Sequence, residues 1–289
     1  MPSPTTLRHA LSPQVTIHTH ACGEGGIFVN AYLIETPRGV VAVDATLSET
    51  ESKALRGELV ALGKPLLAVL ITHPHPDHVA GITNLVAADR PQIVATQPVL
   101  DLMRALEEPK RKQWTPVYGA EWVQRWTYPD TIVQSGDRLT FDGVTFSVLD
   151  LGPGGDSDAN SVWFIDAPQR TAFLGDLTFH GTHAYVADGH LLAWLANLAR
   201  LERLCDGIEL VFPGHGAPAA PAPLIRSQLA YLTTLVGHVN ELAAGRPELT
   251  AADKAELERR MTAYLPGAGL AFLIAMSADP IARELNTPR

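Results

Sequence analysis

The sequence is poor in cysteine, with only 2 among 289 residues. Cys22 and Cys205 are far apart in the chain, and neither has the close cysteine spacing of a zinc-binding motif. This scarcity excludes a small fold held together by disulfides. We therefore interpret Cys22 as a loop thiol and Cys205 as a packed helix residue, and we assign neither as a nucleophile.

Long basic runs and long apolar runs are also missing. The formal net charge is -9, and no basic run is longer than Lys110-Arg111-Lys112. Nucleic-acid-binding proteins usually carry a basic surface, so we expect no nucleic-acid partner. No apolar stretch has the length of a membrane span, and residues 1–14 do not have the pattern of a signal peptide. We expect a cytoplasmic protein with a small-molecule substrate and no membrane partner, and a homodimer stays open.

What the sequence does contain is a cluster of three histidines and one aspartate within six positions, directly after an apolar run. A proline follows each of His73 and His75, which favours extended backbone at both. In extended backbone these two imidazoles face the same side and can converge on one ion. Asp77 and His78 lie at the start of a predicted helix that continues over 79–88, and their different direction suits a second ion.

The order His-x-His-x-Asp-His resembles the signature of the metallo-β-lactamase superfamily. That family has further acids and histidines at the ends of later strands, and this sequence has Asp44, Asp176 and His215, each after a short apolar run. Residues at the same ends of neighbouring strands meet along one edge of a sheet. The ordered motifs extend over residues 15–216, and as a set they are more specific than any one of them.

The resemblance implies a four-layer αββα sandwich, in which helices face two mixed β-sheets. Residues 1–217 would form this metallo-β-lactamase-like domain, and residues 218–289 a helical extension docked on it with partial lid character. Strands are predicted at 15–20, 28–35, 40–43, 139–141, 144–149, 161–165 and 171–174, with a final strand ending at His215, and helices at 49–62, 97–106, 191–204, 251–265 and 271–285.

One position departs from the family pattern. After the apolar run 144–151 the family usually has a histidine, whereas residues 152–158 contain none. Asp156 is the nearest replacement and Asp158 the second candidate, and a site with only two imidazoles is the third alternative. Some superfamily members that resemble alkylsulfatases have a carboxylate in the corresponding region.

The resemblance further implies a centre with two divalent ions. Each ion would be held by three side chains, and a carboxylate would bridge the two ions. The first set is His73, His75 and Asp156, the second set is Asp77, His78 and His215, and the bridging residue is Asp176. Asp44 is expected to hydrogen-bond a ligand or a loop and to fix its orientation. Imidazole-rich sites favour zinc, and the extra carboxylate keeps iron and manganese as alternatives.

Such a centre predicts a metal-dependent hydrolase that uses a bridging hydroxide to cleave an ester, thioester, lactone or related bond, without a serine or cysteine nucleophile. Iron-dependent dioxygenase or oxidoreductase chemistry is the alternative, because relatives resembling persulfide dioxygenases use one iron on a similar scaffold. Besides Asp77, candidates for the catalytic donor follow Asp176 in the chain. They are His180, His183, Tyr185 and His190.

Overall fold

A computed structural model of the chain describes residues 5–87, 89–167 and 169–287. In this part of the chain two β-sheets pack face to face, and helices cover both outer faces. Both sheets are mixed, since each contains parallel and antiparallel pairs. The predicted four-layer αββα sandwich is confirmed.

The first sheet has seven strands, which lie side by side in chain order. The first four strands pair antiparallel and the remaining pairs are parallel. The strands are β1 (Thr5–Ser12), β2 (Val15–Ala21), β3 (Asn30–Glu35), β4 (Val40–Val43), β5 (Leu66–Leu70), β6 (Gln92–Thr96) and β7 (Thr131–Val133).

The second sheet has five strands in the order β12-β11-β10-β9-β8. Only β11 and β12 run parallel, and the other neighbours are antiparallel. The strands are β8 (Arg138–Phe141), β9 (Val144–Gly152), β10 (Asn160–Ala167), β11 (Thr171–Phe179) and β12 (Val211–His215).

Aromatic side chains fill the space between the sheets. Phe173 and Phe212 stack with ring centroids 5.1 Å apart, and Tyr32 packs against both from the first sheet. The Tyr32 hydroxyl donates a hydrogen bond to the carbonyl of Pro213 in β12. Truncation of a buried phenylalanine to alanine typically lowers the free energy of unfolding by about 3–5 kcal/mol. These aromatic contacts therefore fix the position of one sheet relative to the other. They thereby fix the end of β12, which carries His215.

The helices divide between the two outer faces. The first four cover the first sheet, and the last four share one apolar cluster with the second sheet. No helix within the described ranges is long and apolar enough to cross a membrane. The helices are α1 (Glu49–Ala61), α2 (Pro76–Val79), α3 (Ile82–Val86), α4 (Gln97–Tyr118), α5 (Leu191–Leu204), α6 (Pro221–Ala243), α7 (Ala251–Tyr264) and α8 (Phe272–Asn286).

Several elements differ from the sequence prediction. The helix predicted at 97–106 continues through Pro109 and Pro116 as α4, although an interior proline costs about 3 kcal/mol. Trp114 and Tyr118 pack against the core of the first sheet and offset this cost. The helix predicted over 79–88 is two short helices, α2 and α3, and residue 88 lies outside the described ranges. Strands β1, β6 and β7 were not predicted.

A capping box starts α7. The Thr250 hydroxyl accepts a hydrogen bond from the amide of Asp253 at 3.2 Å, and the Asp253 carboxylate accepts one from the amide of Thr250 at 3.1 Å. We expect Thr250→Ala to lower the free energy of unfolding by about 1 kcal/mol, because the amide of Asp253 loses the hydroxyl that accepts its hydrogen bond. Urea denaturation followed by circular dichroism measures this change.

Thr233→Ala is the matched control for this prediction. Thr233 is an exposed residue inside α6, and its hydroxyl donates only to the carbonyl of Leu229 one turn earlier. Alanine has the higher helix propensity, so this variant should not lose stability. Equal losses in both variants would contradict the capping explanation.

Candidate metal centre

The predicted site residues meet at one edge of the two sheets. They come from the segments that follow β4, β5 and β9, from β11, and from the last residue of β12. The segment after β5 is held against the second sheet, because Trp163 donates to the carbonyl of Ile71 and the amide of Ser161 donates to that of Thr72. All eight predicted site residues are buried, with at most 7% of their surface exposed. The residues are Asp44, His73, His75, Asp77, His78, Asp156, Asp176 and His215.

The ligand atoms of seven of these residues form two adjacent groups, and Asp44 also lies close to His73 and His78. In each group every residue offers one nitrogen or oxygen, and these atoms lie within 4.8 Å of one another. His75 has extended backbone, as the proline after it predicts, and Asp77 and His78 lie in α2. One group is His73, His75 and Asp156, and the other is Asp77, His78, Asp176 and His215.

Asp176 lies between the two groups. Its carboxylate oxygens are 3.3 Å from Nε2 of His78, 3.2 Å from Nε2 of His215 and 4.0 Å from Nε2 of His73. Gly214 allows this close approach, since a Cβ at that position would lie 1.8 Å from Oδ1 of Asp176. The carboxylate can therefore reach both groups.

The histidines have fixed orientations. Nδ1 of His78 lies 2.9 Å from a carboxylate oxygen of Asp44, and Nδ1 of His215 lies 3.0 Å from the carbonyl oxygen of Ile27. Both partners can only accept, so Nδ1 donates its proton outwards in each case. Nε2 of each ring faces the site. A hydrogen bond on the outward nitrogen is the usual way in which proteins orient a metal-binding histidine.

His73 and His75 have the same arrangement. The Thr72 hydroxyl gives its proton to Asp44, so Nδ1 of His73, at 3.0 Å, donates to the Thr72 oxygen. Nε2 of His75 donates to the carboxylate of Asp188 at 3.0 Å. The other ring nitrogens point inwards, Nε2 of His73 and Nδ1 of His75. Nδ1 of His75 is bonded to Asp156 at 2.8 Å. Each of the four histidines thus has one ring nitrogen bonded outwards and the other directed into the site.

Some inward-facing atoms have no hydrogen-bond partner. They are Nε2 of His73, Nε2 of His78, Oδ1 of Asp156 and Oδ1 of Asp176. A buried polar atom left without a partner costs about 1–3 kcal/mol. Four such atoms facing one small space would be satisfied together by cations, and imidazole nitrogens and carboxylate oxygens are ligands for divalent metals. The residues therefore fit a metal centre.

Two of the predicted ligands, His75 and Asp156, have raised pKa values and therefore bind protons more strongly than usual. Burial lowers the pKa of His75, but the neighbouring carboxylates of Asp156 and Asp188 together outweigh burial and raise the pKa to about 10. Burial, opposed by His75, raises the pKa of Asp156 to about 7. Metal ligands must be deprotonated, so protons compete with a metal for these atoms. Metal affinity should accordingly fall as the pH falls.

Asp44 faces the outward side of this histidine cluster. Its backbone has a φ of 57°, a left-handed conformation that is uncommon outside glycine. The carboxylate accepts from the amide of Thr72 at 2.8 Å, from the Thr72 hydroxyl at 2.6 Å and from His78. These three bonds stabilise the strained backbone. The role of Asp44 in orienting His78 is still a prediction.

The two acids that are candidates for the place of the missing histidine both lie in the turn after β9, but only Asp156 is buried. Oδ2 of Asp156 lies 2.8 Å from Nδ1 of His75, and Oδ1 lies 3.6 Å from Nε2 of His73. Asp158 is exposed and pairs with His190 at the surface. Only Asp156 is in the ligand group, and its role as a ligand is a prediction.

Three of the predicted donor residues lie away from the site. His180 is exposed, and its ring lies 2.6 Å from the carbonyl oxygen of Ala217. His183 is buried in contact with the hydroxyl of Tyr231 in α6. His190 forms the surface pair described above. None of the three is among the described residues that line the cavity above the ligand groups, and each is bonded elsewhere, so the structure does not bring these candidate donors to the site.

Tyr185 is the remaining candidate, and it does line the cavity above the ligand groups. Its hydroxyl donates to Asp188 at 2.8 Å, and burial raises the pKa of Tyr185 above its ordinary value. Asp188 was missed by the sequence analysis. It belongs to no motif, and only the folded chain brings it to His75.

The cavity has a volume of about 610 Å³, including the part open to solvent. Its floor contains five of the predicted ligands, and most of its wall is apolar. Lys110 in α4 is the only lysine or arginine among its described lining residues, and it lies 5.9 Å from the ring centre of Tyr185. The apolar wall is formed by Ile27, Leu47, Trp114, Phe179, Leu270, Phe272, Leu273 and Met276.

The close approach at Gly214 is open to a direct test. In Gly214→Ala the new methyl group would displace the Asp176 carboxylate, so we expect less bound metal per chain after dialysis. Elemental analysis measures the metal content, and circular dichroism verifies the fold. Gly237→Ala is the control, because a Cβ there meets nothing within 4 Å. Wild-type metal content in Gly214→Ala would show that this contact is not needed.

Comparison with known proteins gives a consistent result. The family model of the metallo-beta-lactamase superfamily matches residues 25–215. A metallo-beta-lactamase type 2 of Bacillus sp. (strain 170) is 26% identical over 216 residues, which are 71% of this chain and 74% of that protein. A hydroxyacylglutathione hydrolase of Methylobacillus flagellatus is 24% identical over 225 residues, which are 78% of this chain and 72% of that protein.

Solved structures agree at the level of the fold. A beta-lactamase domain protein from Burkholderia ambifaria superposes with a TM-score of 0.66 and 18% identity, covering 96% of this chain and 86% of that chain. At this identity the likeness shows the fold alone. It extends beyond the family match and so includes most of the three C-terminal helices.

Proposed function

The chain belongs to the metallo-β-lactamase superfamily, and we propose that it is a metal-dependent hydrolase with two divalent ions, for which zinc is the favoured metal. The observation that carries this proposal is the common orientation of the four histidines, each with one ring nitrogen bonded outwards and the other directed inwards at carboxylates. The relatives named as a lactamase and a hydrolase support hydrolysis.

We assign the ligands by the two geometric groups. His73, His75 and Asp156 would hold one ion, and Asp77, His78 and His215 the other. Asp176 would contact both ions, because its oxygens face members of both groups. When bound, such ions supply a water nucleophile activated near neutral pH and an electrophile for the oxygen of the scissile bond.

The chain's own residues would bind and orient the substrate. The apolar wall of the cavity suits an uncharged acyl group, and we propose an ester, thioester or lactone as the substrate class. Lys110 provides a positive charge at the wall, where it would attract an anionic part of the substrate. The Tyr185 hydroxyl already donates to Asp188, so we propose that it positions Asp188, and through it His75.

The test begins with protein purified without chelator. Elemental analysis should find close to two divalent ions per chain, and a panel of ester, thioester, lactone and phosphodiester substrates should reveal hydrolysis. Chelator should abolish this activity and added Zn²⁺ should restore it. Thiol-blocking reagents should not abolish it, since no cysteine acts as the nucleophile. Active protein with only trace metal would contradict the proposal.

Iron-dependent oxidation is the second candidate. His73, His75 and Asp156 form a group of two histidines and one carboxylate, which is also the ligand type of mononuclear iron oxygenases. The complete second group favours two ions and hydrolysis. Oxygen consumption by iron-loaded protein, with no hydrolysis across the panel, would reverse this order.

A further inference from the structure

A third group of possible ligands lies outside the site described above. It contains His20 in β2, Cys22 directly after this strand, and Glu51 in the first turn of α1. One ligand atom of each residue lies within 4.8 Å of the others, and the group shares no member with the two groups of the site. His20 and Cys22 are buried, and 16% of the Glu51 side chain is exposed.

His20 has the same arrangement as the four site histidines. Its Nδ1 lies 2.8 Å from a carboxylate oxygen of Glu58, so this nitrogen donates outwards. Its Nε2 is completely buried, has no hydrogen bond, and lies 3.5 Å from a carboxylate oxygen of Glu51. A buried nitrogen without a hydrogen bond is therefore directed at a thiol and a carboxylate, and Glu58 fixes its orientation.

We propose that His20, Cys22 and Glu51 bind one divalent transition-metal ion of the zinc type, separate from the hydrolytic site. Imidazole, thiolate and carboxylate are all zinc ligands, and three of them leave a fourth tetrahedral position for water. The partial exposure of Glu51 gives the ion and this water a route from solvent. The proposal rests on these residues and does not depend on the hydrolase assignment.

The charges of the ion and of its three proposed ligands balance on binding. The thiol of Cys22 releases one proton and becomes a thiolate, and any proton on Nε2 of His20 is also released. The thiolate and the Glu51 carboxylate then carry two negative charges against the two positive charges of the ion. No oxidant or reductant is needed.

The ion would also fix the loop that contacts the hydrolytic site. Gly26 packs so tightly against the group that an added Cβ would lie 2.6 Å from Cβ of Cys22 and 3.2 Å from Cγ of Glu51. The next residue, Ile27, provides the carbonyl that accepts the outward hydrogen bond of His215. Metal at this group would thereby hold the loop that orients His215.

Cobalt distinguishes this group from the hydrolytic site. The reduced full-length protein is titrated with Co²⁺ alone, and its near-ultraviolet absorption is recorded. Cobalt bound to a thiolate gives a sulfur-to-metal charge-transfer band, whereas the predicted ligands of the hydrolytic site contain no sulfur. We expect this band with one more equivalent of cobalt than the hydrolytic site binds, and its loss when Zn²⁺ is added.

Two variants assign the band. Cys22→Ser should lose the band and one equivalent of cobalt, whereas Cys205→Ala should retain both, because Cys205 is buried at the end of α5, away from the group. Absence of the band in cobalt-saturated wild-type protein would overturn the proposal and leave a buried ion pair of His20 with its acids. A band that persists in Cys22→Ser would also overturn it.

A measurement on the wild-type chain covers the case in which Cys22→Ser does not fold. Alkylation by iodoacetamide is followed by mass spectrometry at each cysteine, with and without Co²⁺. Cobalt should slow the alkylation of Cys22 at least tenfold and leave that of Cys205 unchanged. Equal alkylation of Cys22 in both states would refute the proposal.

Discussion

Replacing Asp176 with alanine is expected to strip both proposed metal positions and to lower hydrolysis by at least about 10³-fold, equivalent to about 4 kcal/mol of transition-state stabilisation. Among the described residues, Asp176 is the one carboxylate whose oxygens lie near histidines of both ligand groups, at 3.2 and 3.3 Å from His215 and His78 and 4.0 Å from His73. Elemental analysis after dialysis gives the metal content, and steady-state kinetics give the loss of activity.

Asp166→Ala is the control for this variant. Asp166 lies in the neighbouring strand β10, where its carboxylate pairs with Arg138 and the hydroxyl of Ser147, away from the cavity. Its metal content and activity should equal those of the wild-type protein. If Asp176→Ala retained two ions and full activity, the assignment of Asp176 to both ions would be wrong.

The second large effect is expected at Asp156. Asp156→Ala should weaken binding of one ion by more than about 100-fold and leave the other in place, since even residues that only support a ligand contribute 10–100-fold. Isothermal titration of the chelator-treated protein with Zn²⁺ separates the two binding events. Asp158→Ala should have little effect, because Asp158 is exposed and pairs with His190.

Asp156→His gives the same prediction an independent readout. A neutral imidazole in place of a carboxylate leaves more positive charge in the site, which lowers the pKa of a water molecule held there. The pH profile of the activity should therefore shift to lower pH while metal is retained. Loss of one ion in Asp158→Ala, together with full occupancy in Asp156→Ala, would transfer the role to Asp158.

The sequence predicted those parts of the fold that local patterns determine. The strand before Asp44 and helix α5 have the predicted bounds, because a short apolar run or an apolar helix face is visible in a few consecutive residues. All four residues of β4 are apolar, whereas β6 has only three consecutive apolar residues and β7 only two, so neither gives a comparable pattern. The sequence predicts only the first part of helix α4, because its interior prolines are tolerated only through tertiary packing.

The candidate site shows the same division. The cluster at residues 73–78 is local, and the proline after His75 already indicated its backbone. Asp188 is 113 positions away from His75, and the His20 group joins β2 to α1. Nothing in the local sequence of Cys22 indicates that Glu51 lies beside it. Such contacts depend on the path of the whole chain, which periodicity does not encode.

His215 is the last of the proposed ligands along the chain, and this order has a consequence for biosynthesis. A ribosome that has produced the first sheet and its helices has released the cluster at residues 73–78, while β11 and β12 are still untranslated. The nascent chain then offers three imidazoles and one carboxylate without the partners that complete either group. The first proposed ligand group can be complete only once Asp156 has been translated, and the second only once His215 has been translated and the second sheet has closed on the first.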